Sequence, residues 1–371
     1  MEEPVDKNVS ADSNPQQEEP EGYDKTPAFD LSEYPIDSVL IRTDRRSIFE
    51  IIRRIRTDQY ILNPDFQRDF VWDIEKQSKL IESVLMRIPL PVLYLAERED
   101  GKIVVVDGLQ RLTTFSNFLN NDLSLKGLVG KNDQLNGNKF DGLPPKLQNR
   151  IEDTSLILYI IDSKVPERAR LDIFERVNGG VPLTRQQMRN CIYMGKATKW
   201  LKEHAQSESF IKATGNSFDY RTMRDRECIN RFCGFYLLGI EKYVSMDDFL
   251  AKTLRHMNKM SDEDLKKLSE SFLNSMENNY LVFEKHAFRK HSKPDQSRSI
   301  INVSLFDVYS VYLAKYTREQ VKTRADMIHS KFYELMGNEN FTNSISLGTN
   351  DKRRVLMRFE CVEKTFLEIF S

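Results

Sequence analysis

The chain has 371 residues, 40% of them hydrophobic and 30% charged, with 13 Pro and 15 Gly. This is a globular composition, and the length suits two domains better than one small module. Its four cysteines, Cys191, Cys228, Cys233 and Cys361, show no Cys-x-x-Cys spacing, which excludes a disulfide framework and a cysteine-rich zinc site and favours a reducing, cytoplasmic setting. The acidic start lacks the basic and apolar regions of a secretory signal, and no apolar run approaches the ~20 residues of a bilayer span. A soluble protein with no membrane partner is expected.

The net charge of −1 hides an uneven distribution, because residues 1–30 hold nine acids against Lys7 and Lys25. A net-basic body with an acidic tail suits a phosphate-bearing partner, with the tail competing for the same surface. A solvated tail and a mixed surface account for the same charges. Up to about Ala28 the chain is rich in Glu, Pro, Gln, Ser and Asn, so residues 1–28 read as a disordered tail.

Ile48, Phe49, Ile51, Ile52 and Ile55 fall at helical spacing, which predicts a helix over 45–57. A second helix is expected over 73–88 behind an Asp73 cap. Strand-type runs lie at 60–62, 92–96, 102–106 and 156–161, with Asp100-Gly101 as a hairpin signal. Beyond Pro166 the periodic stretches are helical: 166–177, 184–205, 222–241, 245–258, 261–286, 299–315, 317–336 and 350–369. The expected class is α+β, with a mixed α/β domain over 29–165 and a helical domain over 166–371.

Three segments could carry chemistry. In Val104-Val-Val-Asp107-Gly108-Leu109-Gln110-Arg111-Leu-Thr113-Thr114 a β-branched strand runs through Asp-Gly into a helix. The free amides and positive dipole end of that helix favour an anion, and Arg111 offers a planar fork for phosphate oxygens. Alternatively Asp107 caps the helix, Gly108 serves a tight turn and Arg111 pairs with a surface carboxylate. The second segment, Asn63-Pro64-Asp65-Phe66-Gln67-Arg68-Asp69-Phe70-Val71-Trp72, interleaves Gln67 and Arg68 with aromatics, either as a ligand loop or as an aromatic staple. In the third, Phe174-Glu-Arg176-Val-Asn178-Gly179-Gly180-Val-Pro182-Leu183-Thr184, a Gly-Gly stop precedes a helix capped by Thr184 and Gln187. Arg185, Arg189 and Asn190 follow, concentrating donors for anions or base edges.

These three motifs, in this order, resemble the N-terminal domain of GmrSD-type restriction endonucleases, a prokaryotic family related to the ParB and sulfiredoxin fold. The stretch Gly348-Thr-Asn-Asp-Lys352-Arg353-Arg354 to Glu360 is similar to the closing helix of stand-alone members. The resemblance covers roughly residues 35–369 and implies a ParB-like, nucleotide-binding N-terminal domain. In some members that site hydrolyses nucleoside triphosphates with Mg²⁺ during defence against modified phage DNA. Carried over by position, Asp107, Gly108, Gln110, Arg111 and the following Thr113 grip phosphate, Gln67 and Arg68 are the upstream partner, and Asn178 and Gly179 close the site. Gln110, Arg111 and Arg68 would be the catalytic groups of a nucleoside triphosphatase, and Asp107 or Asp69 an indirect metal ligand. Leu109 departs from the family, which frequently has Gln there, and this leaves binding better supported than hydrolysis.

The family's nuclease activity usually comes from a separate His-Asn-His-type domain. Only His291-Ser-Lys-Pro294 echoes it here, and no Glu-x-Lys tripeptide, Walker A loop or His-Glu-x-x-His occurs, so no nuclease activity is expected of this chain alone. The alternative function is a non-catalytic DNA-binding or interaction module that works with a separately encoded nuclease. Residues 285–331 carry ten basic against four acidic side chains among Phe288, Phe306, Tyr309, Tyr312 and Tyr316. They read as a nucleic-acid face or, more simply, as core aromatics beneath a solvated helix face.

Overall fold

A computed structural model of the protein describes residues 20–22, 41–62, 72–177, 184–293 and 295–371. In chain order the elements are β1 (Ile41–Ser47), α1 (Ile48–Arg56), β2 (Tyr60–Ile61), α2 (Ile74–Leu85), β3 (Leu93–Glu97), β4 (Ile103–Asp107), α3 (Leu109–Leu119), α4 (Pro145–Glu152) and β5 (Ser155–Ile161). Helices follow: α5 (Glu167–Val177), α6 (Arg185–Ile192), α7 (Lys196–Ala205), α8 (Glu208–Thr214), α9 (Arg224–Leu237), α10 (Met246–Lys259) and α11 (Asp262–Phe283). The last are α12 (Val303–Leu313), α13 (Arg318–Thr323), α14 (Ala325–Met336), α15 (Glu339–Ser344) and α16 (Lys352–Phe370). The class is α+β. The described residues form two compact units, one within Lys25–Glu203 and Arg221–Leu265, the other within Met1–Asp24, His204–Tyr220 and Lys266–Ser371.

In the first unit the strands order as β1-β5-β3-β4-β2. β1 pairs antiparallel with β5, β5 parallel with β3, β3 antiparallel with β4, and β4 parallel with β2. The apolar positions read from the sequence do the packing. Ile48, Ile51 and Ile52 of α1, Ile81 and Val84 of α2, and Phe115 and Phe118 of α3 cover one face of the sheet with Leu93, Leu95, Val105 and Leu158. Ser47 caps α1 by accepting from Glu50 N, and Asp73 caps α2 by accepting from Lys76 N. The β3–β4 hairpin closes over Gly101 at φ +77°, with Arg98 N donating to Lys102 O at 2.9 Å.

Three local differences from the sequence reading have physical causes. β1 reads IRTDRRS and is largely exposed, so it has no apolar alternation to signal a strand; it is an edge strand held by its ladder to β5. The helix expected over 184–205 breaks between α6 and α7, where the Asn258 side chain takes over the backbone bonds, donating to Tyr193 O at 2.9 Å and accepting from Ala197 N at 2.9 Å. The helix expected over 317–336 divides at Arg324 into α13 and α14, each with its own start.

The second unit is built around α12, whose eleven residues are all buried. A helix apolar on every side must be surrounded by others, and several of its polar groups are paired inside. Ser275 Oγ and Asn278 Nδ2 of α11 donate to Ser310 O (2.5 Å) and Leu313 O (2.9 Å). Asp307 meets Arg358 of α16 at 2.7 Å with both side chains fully buried. Within the acidic tail, Glu21 N donates to Ile301 O at 2.7 Å and Val303 N donates to Glu21 O at 2.9 Å.

Candidate functional site at the β4–α3 turn

β4 is a buried central strand that delivers Asp107 to its carboxyl end, opposite Tyr94 of β3. Gly108 then turns the chain at φ +97°, and a Cβ there would collide with Leu93 Cδ2. Only glycine fits both the left-handed conformation and the space. Gly108 is also the N-cap of α3, with no side chain capping the helix and no acid in its first turn. The first amides of α3 therefore receive no bond from the cap residue and stand at the positive end of the helix dipole.

Arg111, one turn in, is committed to the protein. Its Nη2 donates to Asp107 Oδ2 at 2.8 Å and to Val92 O at 3.1 Å, and its Nη1 donates to Pro91 O. The side chain is 12% exposed against 36% for Asp107. Burial pushes the Arg111 pKa down, opposed by the charge and hydrogen bond of Asp107. Arg111 does pair with a carboxylate, that of Asp107 itself, and Asp107 is not the helix cap.

Gln110 Oε1 accepts from Trp72 N at 3.2 Å, and Trp72 O accepts from Gln77 Nε2 at 2.7 Å. The start of α3 is thus tied to the end of the Asn63–Trp72 motif. β2 pairs parallel with β4, Tyr60 opposite Ile103 and Ile61 opposite Val104, so β2 runs toward the same end of the sheet as Asp107. Thr113 lies half-buried on α3, and Thr114 Oγ1 donates to Gln110 O at 2.8 Å. Leu109 packs against the core. Gln67, Arg68, Asp69, Asn178 and Gly179 lie outside the described residues.

The third motif re-enters at Thr184, where the expected capping box with Gln187 is present in both directions. Arg185 and Arg189 are held in an internal ionic network. Arg185 meets Asp172 at 2.5 Å and also Asp247, while Arg189, 1% exposed, meets Asp247 and lies 3.6 Å from Glu227. Asn190 is buried too. These donors brace α6 against α5, α9 and α10 rather than facing a base edge. Asp247 is the residue that sequence reasoning missed, since nothing local links it to a motif about sixty positions upstream.

Among the described residues no group of three or more His, Cys, Asp or Glu could hold a metal ion. Asp107, half-exposed and with one oxygen on Arg111, fits a magnesium ion only as a single carboxylate beside substrate phosphates and water. His291 is buried in an aromatic cluster with Phe283, Phe332 and Tyr333. In the basic stretch, Phe288, Phe306, Tyr309 and Tyr312 are core residues, so they have no faces free to stack on bases. No helix among the described residues is long and apolar enough to cross a membrane.

Residues 48–194 match the family model described as the N-terminal domain of the GmrSD restriction endonuclease. That span includes the β4–α3 turn and the third motif. A comparison with curated proteins finds no match.

Proposed function

We propose that this chain, whose residues 48–194 match the family model of the GmrSD N-terminal domain, acts in a restriction or phage-defence context and binds a nucleoside triphosphate at the β4–α3 turn. The observation that carries this reading is Gly108: a left-handed N-cap with no room for a Cβ, leaving the first turn of α3 without a side-chain cap. Successive outward amides at a helix start are the usual backbone cradle for phosphate. Arg111 sets the shape of the cradle through Asp107, Pro91 and Val92, and its charge adds to the favourable potential. Gln110 holds Trp72 beside the turn, and Gln67, Arg68, Thr113, Asn178 and Gly179 supply the remaining contacts to the nucleotide. Mg²⁺ would neutralise phosphate charge beside Asp107. Titration calorimetry of the purified chain with ATP, GTP, CTP and UTP, with and without Mg²⁺, tests it; no heat of binding with any of the four removes the assignment.

A second reading, a non-catalytic module acting with a separately encoded nuclease on DNA, draws on a different observation. The Arg111 fork is filled by protein acceptors, and Leu109 packs its apolar, partly buried side chain against the core. Hydrolysis would then fall to Gln110, Arg68 and any movement of Arg111 on nucleotide entry. Triphosphate binding with no released phosphate over many hours favours this second reading; steady turnover favours a nucleoside triphosphatase.

A further inference from the structure

The acidic tail meets the second unit through a contact that has the form of ligand recognition. Glu21 lies beside Asn302 in a parallel bridge, with the two backbone bonds already given. Its carboxylate is read from two sides: Oε1 is 2.6 Å from Lys290 Nζ, and Oε2 accepts from Asn302 Nδ2 at 3.3 Å. Gly22 O accepts from Thr349 Oγ1 at 2.8 Å, and Gly22 turns at φ +97°. Pro20 is buried as well. Main-chain pairing of this kind supplies affinity for any extended segment, and side-chain contacts supply the selection. The selected features here are a carboxylate followed by a residue that tolerates the left-handed region.

The receiving groups are held in place without the tail. Asn302 Nδ2 also donates to Ile345 O at 2.7 Å, and its Oδ1 accepts from Leu305 N at 2.9 Å as the cap of α12. Lys290 Nζ donates to Ser346 Oγ at 2.8 Å, and Thr349 O accepts from Arg358 Nη1 at 2.5 Å. Asn302 and Thr349 are buried. A site whose donors are pre-set by other bonds loses little entropy on binding, so it persists when its occupant leaves.

We propose that Lys290, Asn302 and Thr349 form a recognition site for an acidic Pro-Glu-Gly peptide segment, filled in this chain by its own residues 20–22 and open to such a peptide in trans once that segment is released. A tethered occupant has a high effective concentration, so the wild-type chain masks the site and a chain with a disabled tail displays it.

The test uses full-length protein carrying Glu21→Lys and a fluorescent peptide of residues 16–26, read by anisotropy. The peptide binds the variant saturably and the wild type roughly tenfold or more weakly, and a peptide carrying the same Glu21→Lys change loses roughly tenfold or more in affinity. Absence of saturable binding to a variant that melts cooperatively overturns the proposal, as does equal binding of the two peptides. Hydrogen exchange on the wild-type chain gives a second readout that needs no tail variant. Glu21 and Val303 amides exchange slowly and speed up in Lys290→Ala; exchange of Glu21 at the rate of an unstructured amide also overturns it.

Discussion

Arg111 Nη2 lies 2.8 Å from Asp107 Oδ2 across one turn of α3, and the same guanidinium donates to the carbonyls of Pro91 and Val92. One side chain thereby ties the start of α3 to the end of β4 and the entry to β3. Arg111→Ala frees a half-exposed carboxylate that water can solvate and two carbonyls that water reaches less easily. The expected cost is about 1.5–3 kcal/mol of stability, the range for hydrogen bonds to charged groups, read as a lower melting temperature. Under the proposed function, triphosphate affinity falls about tenfold or more with it, and Arg111→Lys recovers only part of either, since a point charge cannot span three acceptors.

The same pair yields a prediction of opposite sign at its other end. Asp107 places negative charge beside the proposed phosphate cradle, so Asp107→Asn should tighten binding of triphosphate in EDTA. In Mg²⁺ the variant should gain less than wild type does, because a carboxylate at the turn that could face the ion is gone. Calorimetry in both buffers decides this; a Mg²⁺ dependence identical to wild type would place the ion elsewhere.

Gly108→Ala sets two penalties on one methyl group: a left-handed φ, which costs an L-residue about 1–2 kcal/mol, and overlap with Leu93 Cδ2. Gly101 is the internal control, because its φ is +77° and nothing lies within 4 Å of where its Cβ would stand. Denaturant melts should show Gly101→Ala paying the conformational cost alone and Gly108→Ala substantially more. Equal losses would mean that Leu93 yields without resistance.

Much of this local architecture was legible in advance. Asp73 as a cap, Asp100-Gly101 as a hairpin and Thr184 with Gln187 as a capping box are decided by residues within a few positions of one another, and each forms as expected. The Asp-Gly turn was legible for the same reason. The partners of Arg111 were not, because two of its three acceptors are main-chain carbonyls about twenty positions upstream, which carry no side-chain signature. Arg185 and Arg189 looked like free donors for the same reason: Asp247 reaches them only through the packing of α6 beside α10. β1 was missed because an exposed edge strand need not alternate, and the anchoring of Glu21 because its partners lie more than 250 residues away.

The second unit should lose stability in mild acid. His291 is buried, stacks on His286 with ring centroids 4.6 Å apart and on Phe332 at 4.6 Å, and shares a hydrogen bond between its Nδ1 and Arg289 O. Burial, with neighbouring His286 and His329, holds its pKa down at about 4, and burial lowers that of His329 as well. An unfolded histidine takes its proton near pH 6.5, so between about 6.5 and 4 the unfolded chain binds more protons than the native one. Stability therefore rises with pH in that window and is lost as pH falls through it. Urea melts at pH 7.5, 6 and 5 should show a falling midpoint, and His291→Phe should flatten the slope; an unchanged slope in that variant would mean that other groups govern it.

Arg358 and Asp307 form a fully buried ion pair 2.7 Å apart, and Arg358 Nη1 reaches on to Thr349 O at 2.5 Å. Removing one partner strands a charge in the core, so Asp307→Asn or Arg358→Met alone should cost about 3–5 kcal/mol. Replacing both, Asp307→Leu with Arg358→Met, removes the two desolvation penalties together and should recover most of that loss. The double variant separates stability from recognition, because Thr349 then lacks the bond that fixes it under Gly22. A chain that melts near wild type yet releases its tail, seen as faster exchange at the Glu21 amide, is the expected outcome. Wild-type protection at Glu21 in that variant would show that Lys290 and Asn302 hold the segment without Thr349.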